Sequence, residues 1–557
     1  MVQGILRTFT ASVRGLHQAA YLLAGLTLVS QILALLRDRL FAHAFGVSST
    51  LDLYFAAFRI PDLVFALVAS LVSAYVIIPR IAGASKQEAE RTLSHAASFL
   101  LITGAVLGAV LFVFMPALLQ VFFPMYAHDE MFVMLARILL LQPILLGLSG
   151  VVTSVTQVER RFVLFALSPL VYNLGIIGGV VFLYPSFGLV GIGVGVVIGA
   201  LLHFLIHIPI LLRAGLMPRL VVPDPKLVWS IAKDSLPRSA ALSMGALTTL
   251  VLTMLAAATS VGSVAVFSLS GNLAAVPLAL IGASYATAAF PVLAKEAGEN
   301  RSEAFRATLT TAARHLIFWS TVAALLTIVL RAHLVRVVFG TGAFDWDATR
   351  LSAAVLGVLI VGLVAQGLVL LSSRAFYAAR KSWNPLIIQG IGFIVSILCA
   401  FVLLAFARTN PLLVDFVEAL LRIEGIEGTE IVFIALGATI GQLIMGVIAL
   451  VTLSSVAPKV ATSLSRPLFE AAGAGLVGAS AAYGVLVLLG NLAPLTSLLA
   501  VFTQGLLAGM VGLIVSAAVL VLLENKEFKD LYESLKKMTS SRALQPSGTI
   551  LNDHANP

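Results

Sequence analysis

Four groups of residues place charge where the surrounding sequence is apolar. Arg37-Asp38-Arg39 closes the first long apolar run, Arg59-Ile60-Pro61-Asp62 interrupts the second, and single arginines stand at Arg137 and Arg238. A guanidinium is a planar fork of N–H donors that meets phosphate or carboxylate oxygens two at a time. The chemistry open to these groups is therefore anion binding. Arg59 and Asp62 are three residues apart, hence on one helix face and within reach of each other. Two readings stand for them: a cavity wall that touches an anionic or polar substrate, or an ion pair that fixes the helix. Pro61, between them, removes a backbone donor and tends to bend the helix. Arg37, with Asp38 beside it, is either a solvated helix end or a cation turned into a cavity to hold phosphate. Arg137 and Arg238 line a cavity or sit at the membrane interface, where a long side chain can carry its charge to water.

Nothing else assembles a reaction centre. His203 and His207 stand at i and i+4, but no third metal ligand is near in sequence. Cys399, the single cysteine, lies in an apolar run, which excludes an intramolecular disulfide and a cysteine-based metal site. No P-loop, GxSxG or HExxH pattern occurs. No catalytic residue, metal or cofactor is expected. The chain reads as a transporter and not an enzyme, driven by an ion gradient, the membrane potential or a partner.

The elements that must position these residues are membrane helices. Of 557 residues, 60% are hydrophobic and 11% charged, and the mean hydropathy is +1.04. A soluble domain carries roughly 25% charged residues, so the bilayer must be the solvent for most of this chain. Apolar runs of roughly 20 residues, enough to span a bilayer, repeat from end to end. They predict an all-α polytopic protein of about fourteen helices, at 19–36, 53–78, 93–119, 131–158, 162–184, 187–212, 235–258, 263–293, 308–330, 351–373, 384–407, 430–455, 467–490 and 494–523. Of the 35 Lys and Arg residues, 25 then fall on the side of the termini, 7 on the other, and three, Arg59, Arg137 and Arg238, within or at the edge of spans. The positive-inside rule puts both termini in the cytoplasm. The same distribution accounts for the net charge of +9 without nucleic acid. Residues 1–18 read as a mildly basic leader retained as a signal anchor, and 409–429 as a short amphipathic helix on the outer surface.

Two long helices, over 53–82 and 263–294, both close on Pro-x-x-Ala (Pro79 and Pro291) and lie six helices apart. That is the spacing of a repeat of six helices plus six. It divides the chain into an N-terminal lobe (1–212), a cytoplasmic linker (213–234), a C-terminal lobe (235–455), two added helices (467–523) and a cytoplasmic tail (524–557). Glycines 175, 178, 179, 191, 193, 195 and 199 crowd the fifth and sixth spans. They serve close helix approach or allow helices to rearrange.

Several motifs, in order, resemble the MviN/MurJ-type lipid II flippases of the multidrug/oligosaccharidyl-lipid/polysaccharide exporter superfamily. They are Ser30-Gln31-Ile32-Leu33-Ala34-Leu35-Leu36-Arg37-Asp38 with Phe45-Gly46, Asp52, Ala57-Phe58-Arg59 and Pro61; Arg161-Phe162 with Ala166, Pro169 and Asn173; Phe339-Gly340-Thr341-Gly342-Ala343-Phe344; and Phe376-Tyr377-Ala378 before Pro385. They cover about residues 20–390. The resemblance implies a flippase that moves an undecaprenyl-pyrophosphate-linked peptidoglycan precursor outward by alternating access in the bacterial inner membrane. It further implies a cationic central cavity between two lobes and a lipid-tail groove on the last two helices. A monomer is expected because one chain would make that cavity, and cell-wall synthesis proteins are candidate partners. The family usually carries arginine at the positions matching Gln31, Arg37, Phe65 and Asn272, an acid at Ser70 and an asparagine at Asp62. Only Arg37 is kept here. Three alternatives follow: an exporter of another lipid-linked oligosaccharide, an exporter of an amphipathic small molecule, or a transport-dead cell-wall scaffold docking through its tail.

Overall fold

The computed structural model describes residues 16–159, 161–492 and 497–530. The N-terminal leader with Arg7 and Arg14, Arg160, and the tail from 531 with Lys536, Lys537 and Arg542 lie outside the described residues. The described chain is helical throughout, with no strand among its elements, and it forms a multi-pass membrane protein. Eleven helices are long and apolar enough to cross a membrane, or twelve if one bent pair counts as a span. Fourteen spans are not reached by that measure, and two places account for the difference. The first helix, α1 (Leu16–Phe45), starts at the border of the described residues. The run Val163–Ala214 counts once although it has 52 residues. At 1.5 Å per residue it would be about 78 Å long, against a hydrocarbon core of about 30 Å.

That run folds back on itself. Gly188, in the left-handed region at φ 57°, separates the partners of a close-packed antiparallel hairpin. Gly175 faces Gly199, Gly179 faces Gly195, and Gly191 faces Leu183. A Cβ built on any of these five glycines would run into backbone atoms of the other arm, whereas one on Gly178 meets nothing within 4 Å. These glycines serve helix approach. Gly195→Leu should therefore lower stability by about 3 kcal/mol or more, read as a drop in thermal unfolding temperature in detergent, while Gly178→Ala leaves it unchanged. Equal behaviour of the two variants would contradict the hairpin.

The remaining elements, in order, are α2 (Ser49–Ala57), α3 (Arg59–Leu67), a 3-10 turn (Ala69–Val72), α4 (Ala74–Ile81), α5 (Lys86–Phe122), α6 (Glu130–Leu139), α7 (Leu141–Val158), α8 (Phe162–Gly178) and α9 (Tyr184–Leu205). Next come α10 (Ile208–Ala214), α11 (Pro225–Ala257), α12 (Ser263–Pro277), a π turn (Leu278–Ala283), α13 (Ser284–Gly298), α14 (Ser302–Phe339), α15 (Trp346–Leu359) and α16 (Leu363–Ala378). The chain closes with α17 (Trp383–Thr409), α18 (Pro411–Leu421), α19 (Ile431–Leu453), α20 (Val460–Ser463), α21 (Ser465–Leu492) and α22 (Leu498–Leu522). The expected amphipathic helix in 409–429 is α18, which presents Leu412, Phe416 and Leu420 outward. α21 and α22 pack on each other and on α14.

Both long helices singled out by their Pro-x-x-Ala endings are broken. The second span is interrupted at Phe58 and bends by 41° beyond Leu67; the later one passes through a π turn after Pro277. Pro61 falls in the first turn of α3, where a missing N–H leaves no helical bond unmade. The first helix departs from expectation in a way that matters. It runs nine residues past the predicted end, to Phe45, so Arg37-Asp38-Arg39 is helix interior and not a solvated terminus.

Candidate functional site

The continuation of α1 turns Arg37 into the protein. There, a cavity of about 620 Å³ lies between residues of the first six spans and residues of 245–445. Its N-terminal wall carries Arg37, Tyr54, Arg59, Asp62, Gln142 and Tyr172. Its other wall carries no charge and is rich in carboxamides and hydroxyls: Thr248, Ser268, Asn272, Gln366, Gln389 and Gln442 among them. The volume falls in the range of about 300–1,000 Å³ usual for small-molecule sites.

Arg37 is held from behind. Its Nε and Nη2 both donate to Asp38 Oδ1, at 2.9 and 2.7 Å, and its Nη1 donates to Asn173 Oδ1 at 2.9 Å. Three of five guanidinium N–H groups are thus used on the scaffold, which leaves two for the cavity. Asp38 is 1% exposed and does not belong to the wall. It braces Arg37 and accepts from Asn272 Nδ2 at 3.0 Å, tying the first helix to α12. Arg59 is less committed. Its Nη2 donates to Ser268 Oγ at 3.1 Å, and its buried Nε has no partner. Asp62 shares the cavity wall with Arg59, but the two do not close into an ion pair. The reading of Arg59 and Asp62 as a salt bridge that locks the helix is thereby corrected. Both stand in α3, beyond the break at Phe58, and each lines the cavity.

Arg137 and Arg238 lie away from this cavity. Arg137 Nε donates to the Phe112 carbonyl at 2.9 Å, and its guanidinium lies 4.6 Å from the Phe112 ring centroid. Pro116, four residues on in α5, has no N–H to give that carbonyl, so Arg137 supplies the missing donor. Arg137→Leu should cost about 1–2 kcal/mol of stability, and much less in a Pro116→Ala background, where the helix satisfies Phe112 itself. Additive losses in that double-mutant cycle would refute this role. Arg238 Nη1 donates to Ser73 Oγ at 3.4 Å, where the second span breaks. His203 and His207 are packed against α7: Ser149 lies at 2.7 Å from His203 Nδ1, and Thr153 and Thr156 at 2.9 and 3.0 Å from the two ring nitrogens of His207.

Of the four positions where the resembled family usually has arginine, Arg37 and Asn272 are in the cavity wall; Gln31 and Phe65 are not. Ser70 is buried and hydrogen-bonded to Ser239 Oγ and the Ala66 carbonyl. A carboxylate there would meet a carbonyl oxygen.

Sequence reasoning gave no role to two features. The first is the set of lone amides. Gln142, Asn173, Gln366, Gln389 and Gln442 each interrupt an apolar run, a signal that an unpaired polar group in a span is expensive and faces the interior. The second is Asp52, which is fully buried. It accepts from Tyr126 Oη at 2.8 Å and from the backbone N–H groups of Gly262 and Ala265 at 2.6 and 2.7 Å. It thus caps the start of α12 from α2. Around it, Ala343 N–H donates to the His43 carbonyl at 3.0 Å, Arg39 Nη1 donates to the carbonyls of Val337 and Val338 at 2.5 and 3.2 Å, and Gly46 lies on Ala343. These contacts join the two parts of the chain at the end of the bundle remote from its basic loops. At the basic end, Arg80 pairs with Asp234 at 2.6 Å and Arg91 with Asp224 at 3.1 Å, both reaching α11 or its cap, while the main contacts of α13 are with α14 and α16.

Comparison with known proteins gives one consistent result. The family model described as lipid II flippase MurJ matches residues 41–500. The lipid II flippase MurJ of Burkholderia cenocepacia is 26% identical over 392 residues, covering 66% of this chain and 75% of that protein. A probable lipid II flippase MurJ of Bdellovibrio bacteriovorus is 26% identical over 491 residues, covering 84% and 88%. A solved structure of lipid II flippase MurJ in an inward closed conformation superposes with a TM-score of 0.71 at 20% identity, over 91% of this chain and all of that one. An inward-facing multidrug resistance transporter of the MATE family follows at 0.60 and 17% identity, over 76% and 95%.

Proposed function

The chain belongs to the MurJ family of lipid II flippases, and on that premise we propose that it carries a lipid-linked peptidoglycan precursor of the undecaprenyl-pyrophosphate type from the inner to the outer leaflet. The observation that carries this reading is the central cavity, flanked by both parts of the chain, with Arg37 and Arg59 on one wall. A pyrophosphate needs cations with free donors. Arg37 has two, Arg59 spends one of its five N–H groups on Ser268 Oγ, and both are fixed by neighbours before any ligand arrives, which lowers the ordering cost of binding.

In this mechanism the parts 1–212 and 235–455 act as two lobes that rock about the cavity, and Asp38 orients Arg37. The excess of basic residues supports an orientation with the basic loops and both termini in the cytoplasm of a bacterial inner-membrane protein. The contacts around Asp52 then seal the outer end in this conformation. Helices α21 and α22, packed on α14, take the polyprenyl tail while the headgroup crosses. A single chain builds the whole cavity, so a monomer suffices, and any cell-wall synthesis proteins meet it from outside.

The direct test replaces the native flippase of a test bacterium with this chain and assays arrival of lipid II at the outer leaflet. Transfer at a rate that supports growth is expected. A chain that is inserted and abundant yet leaves lipid II inside would overturn the reading in favour of another lipid-linked oligosaccharide, an amphipathic small molecule, or a scaffold.

A further inference from the structure

The second wall of the cavity holds more neutral hydrogen-bonding capacity than the protein uses. Gln366 on α16, Gln389 on α17 and Gln442 on α19 reach it from three helices that pack on one another. Gln366 Nε2 donates to Gln442 Oε1 at 3.0 Å. A carboxamide has one acceptor oxygen and two N–H donors, so this pair leaves the Gln366 oxygen and the Gln442 N–H groups uncommitted. Exchanging O and N in both amides leaves the same inventory, one acceptor and one donor group. The Gln389 side chain makes no hydrogen bond among the described residues. Across the cavity, Gln142 donates to Tyr172 Oη at 3.2 Å. Unmet amides in a membrane interior are costly, and here several face one space beside a wall that has no charge at all.

This pattern selects a ligand group. A phosphate only accepts, so it gains from the N–H groups but is repelled by the amide oxygens, and Arg37 and Arg59 are better partners for it. A hydroxyl or an acetamido group both donates and accepts, which matches a carboxamide on both counts. We propose that Gln366, Gln389 and Gln442 form a subsite for the uncharged, acetamido-bearing glycan of the headgroup, set apart from the anion site on the arginine wall. The inference deepens the flippase reading and rests on it. It divides the cavity by chemistry: charge is read on the N-terminal side and sugar on the C-terminal side.

The experiment measures binding of two ligands by the purified full-length protein in nanodiscs: undecaprenyl pyrophosphate, which has no glycan, and lipid II. The variants are Gln389→Leu and the double variant Gln366→Leu/Gln442→Leu, which removes both members of the bonded pair and so leaves no orphan. Each lost neutral hydrogen bond is worth about a twofold to tenfold change in affinity. Both variants should weaken lipid II binding by about fivefold or more, with undecaprenyl pyrophosphate held within about twofold. Arg37→Lys should weaken both ligands. Unchanged thermal unfolding temperatures guard against misfolding. Variants that weaken both ligands alike, or neither, overturn the subsite while leaving the arginine site standing. A parent that binds neither ligand overturns the flippase reading and the subsite together.

Discussion

Arg37→Ala is expected to stop lipid II transfer, and also to lower the amount of folded protein. The second effect follows from Asp38. That carboxylate is 1% exposed, and Arg37 meets it through two N–H groups. Removing one member of a buried ion pair leaves an uncompensated charge, at a cost of about 3–5 kcal/mol. Transport and stability are therefore confounded in the single variant. The double variant Arg37→Met/Asp38→Asn removes the orphan, and Asn272 still has an oxygen to donate to at position 38. Its abundance and unfolding temperature should return close to the parent's, while transfer stays at or below about a hundredth of the parent rate, the loss of roughly 2.7 kcal/mol of charge-assisted binding. Restored transfer in that double variant would show that Arg37 serves the fold alone. Arg37→Lys keeps the charge but loses the fork, so it should retain stability better than transfer.

Asp52→Ala is expected to open the end of the bundle that this structure holds closed. The carboxylate joins α2 to the first turn of α12 through two backbone N–H groups and is further held by Tyr126. Hydrogen bonds to a charged group contribute about 1.5–3 kcal/mol. Their loss shifts a two-state equilibrium by about tenfold to a hundredfold toward the state in which they are absent. The single native cysteine, Cys399, makes this measurable. In a Cys399→Ala background, Thr249→Cys on the cavity wall should label slowly with an impermeant maleimide added from outside. The further change Asp52→Ala should raise that labelling by about tenfold or more. Unchanged labelling would mean that the neighbouring contacts, Ala343 on His43 and Arg39 on the carbonyls of Val337 and Val338, hold the closed state without it.

Much of this was legible in the residues. Charge poverty and repeated apolar runs required a helical membrane protein, and the predicted spans coincide with helices of the structure to within a turn or two at most ends. Arg59 and Asp62 were picked out because a charge in a span must face something other than lipid, and Arg37 as an end-of-span cation with two readings, solvated or turned inward; all three line the cavity. The end of the first helix was misplaced for a physical reason. A charge cluster reads as a boundary when lipid is assumed on every side, yet a helix runs on unbroken if its charged residues find partners within the bundle, as Arg37 does in Asp38 and Asn173.

The sequence by itself determined the solvent, the helices and the few residues too polar to face lipid. Only the tertiary structure decided which of them meet. Lipid-facing and core-facing side chains are alike apolar in a bilayer, so hydropathy carries little record of which way a helix turns. A lone glutamine announces that it points inward but not toward whom. That Gln366 meets Gln442 across 76 positions, or that Asp52 caps a helix more than 200 residues away, is set by how the helices cross, and that is encoded in the fit of many small side chains rather than in any one of them.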